Sequence, residues 1–309
     1  METKEQKIER LLHLKKERNA IILAHFYQDG EIQDIADFIG DSLALSQFAQ
    51  NVKEDVILFA GVNFMAETAK ILNPGKIVIV PDLDAGCSLA DSAEPAAFAK
   101  WRQEYPDAVL VTYINTTAEI KALSDIICTS SNAEKIVSSI PEDKLILFAP
   151  DKFLGSYIKQ KTNREMVLWN GSCQVHEMFS EDKVLTLKVE HPDAIVLAHP
   201  ECPPNILKHA DIIGSTTKII NYAVTSENDK FIILTEPGVI HEMKKHAPDK
   251  TYLDVPNIDG CSCNECPYMR LNTIDKMIAA LENLEPQIHL DEELRLRALL
   301  PIKKMLELS

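Results

Sequence analysis

Three stretches, IILAHFY (21–27), VLVTYIN (109–115) and IVLAHPE (195–201), decide how this 309-residue chain folds. Each is an apolar run that ends on a polar anchor, His25, Tyr113 or His199, with spacings of 88 and 86 residues, and each anchor is followed two residues later by Tyr27, Asn115 or Glu201. Twelve residues past each anchor stands an aspartate (Asp37, Asp125, Asp211), which opens DFIGDS, DIICTS or DIIGST. Seventeen past stands a hydroxyl, Ser42, Ser130 or Thr216. A third apolar run follows in each segment (DVILFAG, KLILFAP, KFIILTEP), then a fourth (KIVIVPD, EMVLWNG, KTYLDVP) that leads into cysteine at Cys87, Cys173 and the cluster from Cys261 to Cys266.

Short runs rich in Val, Ile and Leu, separated by stretches with helical spacing such as EIQDIADF and NFMAETAKIL, are the pattern of buried parallel strands joined by crossover helices. The repeat therefore predicts an α/β protein of three αβα sandwich units, each with about four parallel strands. The units are expected at 1–104 with an N-terminal helix, 105–190, and 191–309 with two closing helices, NTIDKMIAALENL and DEELRLRALLPIKKMLEL, the first capped from Asn272 and Thr273. A single doubly wound sheet of a dozen strands is the alternative. Matched offsets of 12 and 17 in all three segments favour the three-unit arrangement, packed without linkers about a pseudo-threefold axis.

Composition narrows the function. With 46% hydrophobic residues the chain has ample material for buried cores. A net charge of -15 gives no field that would draw the protein to nucleic acid or anionic lipid. The N-terminus, METKEQKIERLLHLKKERN, has no apolar targeting core, and no run approaches the roughly 20 apolar residues of a membrane span. A soluble, cytoplasmic protein is expected. Its seven cysteines are too many and too odd in number for disulfide staples in a chain this long, so reduced, partly metal-bound thiols are expected.

Ligands of open parallel sheets bind beyond the carboxyl ends of the strands. Three units facing one axis would bring three such ends together, and with them three cysteines. Three thiolates suit an iron–sulfur cluster whose remaining iron keeps an open position for Lewis-acid chemistry on oxygen. CSCNEC alone could instead form part of a zinc site, although no second knuckle lies nearby. Cys128 and Cys202 lack repeat partners and read as buried thiols. GDS, TSS and GST each precede a helix. One of them would be an ordinary cap, but three aimed at one centre suit a ligand with several anionic groups. His25, Tyr27, Tyr113, Asn115, His176, His199 and Glu201 offer acid, base and hydrogen-bonding groups, Glu201 foremost because a carboxylate can take protons. A three-cysteine hydroxy-acid dehydratase and a non-catalytic zinc or iron–sulfur sensor are the rival readings.

AHFYQ with GDS, AGCSLAD, the TYIN string, NGSCQVHE, AHPEC with GST, and NECPYM followed by RLNT together resemble the quinolinate synthase family of de novo NAD synthesis, over nearly the whole chain. The resemblance implies the same threefold αβα fold. It also implies a 4Fe-4S cluster and condensation of iminoaspartate with dihydroxyacetone phosphate to quinolinate, with loss of phosphate and two waters. It implies Tyr27, His199 and Glu201 as proton-transfer groups, and His25, Ser42, Tyr113, Asn115, Ser130, His176, Ser215 and Thr216 as substrate-binding groups. Alignment of the repeats picks Cys261 as the third ligand, since DAGC, NGSC and IDGC match. The resemblance picks Cys266 through NECPYM, so Cys87, Cys173 and Cys266 are the expected ligand set, with Cys261 and Cys263 as redox-active neighbours. The two small molecules are the expected partners, with room for transient contact with the enzyme that supplies iminoaspartate, and without nucleic acid or membrane.

Overall fold

The computed structural model describes residues 2–256 and 264–309, so Cys261 and Cys263 lie outside the described residues. Twelve strands form three four-stranded sheets. The first contains β1 (Ala20–His25), β2 (Phe38–Gly40), β3 (Val56–Ala60) and β4 (Ile77–Ile79). The second contains β5 (Val109–Tyr113), β6 (Ile126–Cys128), β7 (Ile146–Ala149) and β8 (Met166–Leu168), and the third β9 (Ile195–Ala198), β10 (Ile212–Ile213), β11 (Lys230–Leu234) and β12 (Thr251–Asp254). The orders are β2-β1-β3-β4, β6-β5-β7-β8 and β10-β9-β11-β12, and the paired strands run parallel. A single twelve-stranded sheet is thereby ruled out.

The aspartate twelve residues past each anchor has a structural task. Its carboxylate accepts the backbone N–H three residues before the anchor: Ile22 to Asp37, Leu110 to Asp125 and Val196 to Asp211, each at 2.8 Å. Its own N–H returns a bond to the carbonyl of that same residue, at 2.9, 3.1 and 2.9 Å. The side chain thus extends the ladder by one rung before the second strand begins, and a buried strand N–H keeps a partner. An identical spacing in three units has an identical cause, strand registration.

The stretch NFMAETAKIL forms the helix Asn63–Leu72, which turns Phe64, Met65, Ala66, Ala69 and Ile71 into the core. The closing helices follow the third sheet in sequence but pack elsewhere. Ile274–Asn283, capped by the Thr273 hydroxyl, lies on the helix Lys4–Glu17 and on β3, while Glu292–Glu307, capped by Asp291, lies on β6 and the helix Ala118–Leu123. Asn272, expected to share the cap, is buried and donates instead to the Gly61 carbonyl at 2.8 Å. Among the described residues no helix is long and apolar enough to cross a membrane.

The three units meet on Asp41. As N-cap of the helix Ser42–Ala49 its Oδ1 accepts the Ala44 N–H at 2.9 Å, while Oδ2 accepts the hydroxyls of Ser131, from the second unit, at 2.8 Å and Thr217, from the third, at 2.7 Å. One carboxylate with only 7% exposure therefore satisfies a donor from every unit. Bonds to a charged acceptor are the stronger kind. Asp41→Ala is expected to lower unfolding free energy by roughly 3 kcal/mol, Asp41→Asn by less, as measured by chemical denaturation. An unchanged midpoint for Asp41→Ala would show that the tie is dispensable.

Candidate active site

A central cavity with about 710 Å³ of empty volume, its mouth included, lies where the three sets of strand ends converge. Of the residues expected at a site, His25, Tyr27, Ser42, Cys87, Tyr113, Asn115, Ser130, Cys173, His176, His199, Glu201, Thr216 and Cys266 all line it. Ser215 does not. It caps the helix Thr216–Thr225, its hydroxyl accepting the Lys218 N–H at 3.4 Å. Asp41 performs that capping in the first unit, so in both units the residue before the hydroxyl caps the helix and leaves Ser42 and Thr216 facing the cavity.

The three cysteines arrive by similar local routes. Cys87 is the N-cap of the turn Ser88–Asp91 and Cys173 that of Gln174–Glu177, while Cys266 opens a turn in which its carbonyl accepts the Arg270 N–H at 3.3 Å. Backbone N–H groups two and three residues on therefore face the sulfurs of Cys87 and Cys266, and the His176 N–H faces that of Cys173, an arrangement that favours thiolate. Burial outweighs it, and pushes the Cys87 thiol up to about 12 and Cys266 up to about 11, with Cys173 raised as well. The loops are also tied to one another: the Gln174 N–H donates to the Ser88 hydroxyl at 3.3 Å, and the Trp169 indole N–H to the Ser92 carbonyl at 3.0 Å. Gly171 of NGSC is required for this approach, since a Cβ there would lie 2.2 Å from Ser92 Oγ and 2.5 Å from the Pro150 carbonyl oxygen. All five described cysteines are free thiols, and Cys128 and Cys202 are fully buried outside the cavity.

Around the cysteines runs a chain of hydrogen bonds that crosses the units. Glu201 accepts the Tyr113 hydroxyl at 2.6 Å and lies 2.8 Å from His176 Nδ1. His176 Nε2 is 3.0 Å from the Thr235 hydroxyl, which is 2.8 Å from the Tyr27 hydroxyl, itself 3.2 Å from Thr216 Oγ1. Burial would raise the Glu201 carboxyl, but His176 and the Tyr113 hydroxyl hold it below the ordinary carboxylate range. Burial keeps both phenols protonated, with the neighbouring Glu201 adding to the effect.

His25 and His199 are set up alike. The N–H of Tyr27 donates to His25 Nδ1 at 3.2 Å and that of Glu201 to His199 Nδ1 at 3.4 Å. Nδ1 is then the acceptor in each ring, which assigns the proton to Nε2. Burial lowers His25 to about 4 and His199 to about 3, so both stay neutral at working pH.

Among the described residues no lysine or arginine lines this cavity, whereas Asp41, Glu201, Glu236 and the three thiols do. An anionic ligand entering such a site needs a cation that the side chains do not supply. The sulfurs of Cys87, Cys173 and Cys266, which line the cavity, could hold one. The buried Asn115 side-chain oxygen has no hydrogen-bond partner among the described residues. A mononuclear ion would have a second possible seat, since ligand atoms of Cys173, His176 and Glu201 lie within 4.8 Å of one another. Sequence patterning did not single out Asp41, Thr235, Glu236 or Arg270. Asp41 was the middle letter of GDS, but Thr235 and Glu236 sit in a run read only as a strand, and their polarity at its carboxyl end was the signal available.

Because the two imidazoles have lower pKa values in the folded protein than in the unfolded chain, only the unfolded chain takes up their protons between about pH 6.5 and 4. Stability is complete above that window and falls as pH drops through it. In the double variant His25→Gln/His199→Gln this part of the acid limb should flatten. Denaturation midpoints of metal-free protein at a series of pH values check this, and an unchanged limb would contradict it.

A family model described as quinolinate synthetase A protein (NadA) matches residues 9–307. The quinolinate synthase of Rippkaea orientalis is 60% identical over 296 residues, covering 96% of this chain and 91% of that protein. That of Trichodesmium erythraeum is 59% identical over 301 residues, covering 97% and 93%, and that of Synechocystis sp. 59% over 296 residues, covering 96% and 93%. The chain belongs to the quinolinate synthetase A protein family, enzymes of NAD biosynthesis.

Proposed function

We propose that the cavity condenses iminoaspartate with dihydroxyacetone phosphate to quinolinate, and that Cys87, Cys173 and Cys266 hold a 4Fe-4S cluster there. The observation that carries this reading is the delivery of one cysteine from each of three units into a cavity that no lysine or arginine lines among the described residues. Atoms balance with phosphate and two waters as the other products and without any electron acceptor. When bound, the cluster would supply an open iron as a Lewis acid for oxygen. Reduced thiols of this kind belong in a reducing compartment, which supports placing the enzyme in the cytoplasm.

The chain's own groups account for binding and proton movement. Nε2–H of His25 and of His199 are fixed donors suited to carboxylate or carbonyl oxygen. Ser42 and Thr216 begin helices, where hydroxyl and backbone N–H donors suit phosphate or carboxylate, with Ser130 and Asn115 adding contacts from the second unit. Tyr27, Thr235, His176 and Glu201 form a relay with a consistent direction. The phenol donates to Thr235, the Thr235 hydroxyl to His176 Nε2, and His176 Nδ1–H to the Glu201 carboxylate. Tyr27 can accept a substrate proton as its own moves along this line, and Glu201 becomes the final base without a free phenolate ever forming. Run backwards, the relay delivers a proton to a departing hydroxyl. Enclosure keeps water from the reactive imine.

Protein purified without oxygen should contain iron and sulfide and should form quinolinate from the two substrates. Cys87→Ser, Cys173→Ser and Cys266→Ser should each lose the cluster. A colourless protein with one zinc, held by Cys173, His176 and Glu201, would overturn the cluster assignment. Glu201→Gln should retain iron while kcat falls about 10²- to 10⁴-fold, which separates its proton transfer from cluster binding. Undiminished kcat would remove Glu201 from the relay.

A further inference from the structure

Glu236 has 0% exposure and three donors on its carboxylate. Oε2 accepts the Gly238 N–H at 2.7 Å, while Oε1 accepts the Arg270 guanidinium at 2.6 Å and the Cys266 N–H at 3.3 Å. The other arm of Arg270 reaches the first unit, where Nη1 donates to the Tyr27 carbonyl at 3.0 Å and pairs with Asp29 at 2.9 Å. Arg270 therefore joins a backbone atom of Tyr27 to the carboxylate that holds the backbone of Cys266.

The turn around Glu236 leaves little room for adjustment. A Cβ on Gly238 would lie 2.8 Å from the Phe26 carbonyl oxygen and 2.9 Å from the Tyr27 carbonyl carbon, so this turn sits directly on the backbone that carries Tyr27. A planar guanidinium can serve acceptors on separate elements at once, which a lysine ammonium cannot do with fixed geometry. Outer partners of this sort commonly fix the ligands they support.

We propose that Arg270 and Glu236 are positioning residues that seat Cys266 and Tyr27 as one unit, so that the third sulfur ligand and the phenol of the relay take their places together. The proposal rests on the reading of Cys87, Cys173 and Cys266 as cluster ligands. It adds a connection between holding the cluster and delivering protons, two tasks performed by residues 239 positions apart in sequence.

Anaerobic holoenzyme is the material for the test, with a ferrous-iron chelator as probe. Arg270→Gln and Glu236→Gln should give up iron about tenfold faster than the wild type, and kcat per remaining cluster should fall in Arg270→Gln because Tyr27 is displaced. Arg270→Lys should lie between the wild type and Arg270→Gln. Asp34→Asn is the control. It removes the His241 and Lys245 pairs across the same pair of units without touching Glu236 or Cys266, and should release iron at the wild-type rate. If Arg270→Gln does not fold, Arg270→Lys and Glu236→Gln carry the comparison. Wild-type extraction rates in both, or equal acceleration by Asp34→Asn, would overturn the proposal. Wild-type protein without iron and sulfide would instead overturn the cluster reading beneath it.

Discussion

The arrangement of this protein depends on the buried carboxylate of Asp41, which receives one donor from each of the three units. A sheet can be built from its own sequence, but its orientation toward two others requires a shared point. Here the shared point is also a helix cap and a wall of the cavity, so the contact that orients the units orients Ser42 and Thr216 as well. An apolar contact would have left a rotation free. Directed bonds to two oxygens restrict it.

Similar ties recur around the cysteines. Each cysteine opens a short turn, and each loop is held from another part of the protein: Ser88 takes the Gln174 N–H, Ser92 takes the Trp169 indole, and Glu236 takes the Cys266 N–H. The thiols sit in surroundings that burial makes unfavourable to thiolate, with carboxylates nearby. A bound cation would balance such surroundings.

Repetition also divided labour between similar positions. The aspartates at 37, 125 and 211 register strands in every unit, whereas the residues two past the anchors have diverged to Tyr27, Asn115 and Glu201. Tyr27 and Glu201 are the two ends of one hydrogen-bonded line, completed by His176 and Thr235. Symmetry supplied equivalent sites around the cavity, and loss of symmetry at those sites placed a phenol, an amide and a carboxylate there.

The sequence by itself determined what depends on local periodicity and local chain chemistry. Twelve apolar runs became twelve strands, NFMAETAKIL became a helix along its full length, and the spacing of twelve residues to an aspartate recurred because strand length and turn length recur. It also carried the family motifs, and through them the expectation of Cys266, which lines the cavity, where the repeat alone pointed to Cys261, outside the described residues. Only tertiary structure decided that the closing helices leave the third sheet for the first two, that Ser215 caps a helix and leaves the cavity to Thr216, and that Asp41, Thr235, Glu236 and Arg270 belong beside the site. Each of those outcomes depends on bonds between residues dozens to hundreds of positions apart. Such bonds leave no period in the chain, because their geometry exists only once three separately formed sheets have been turned to face one another.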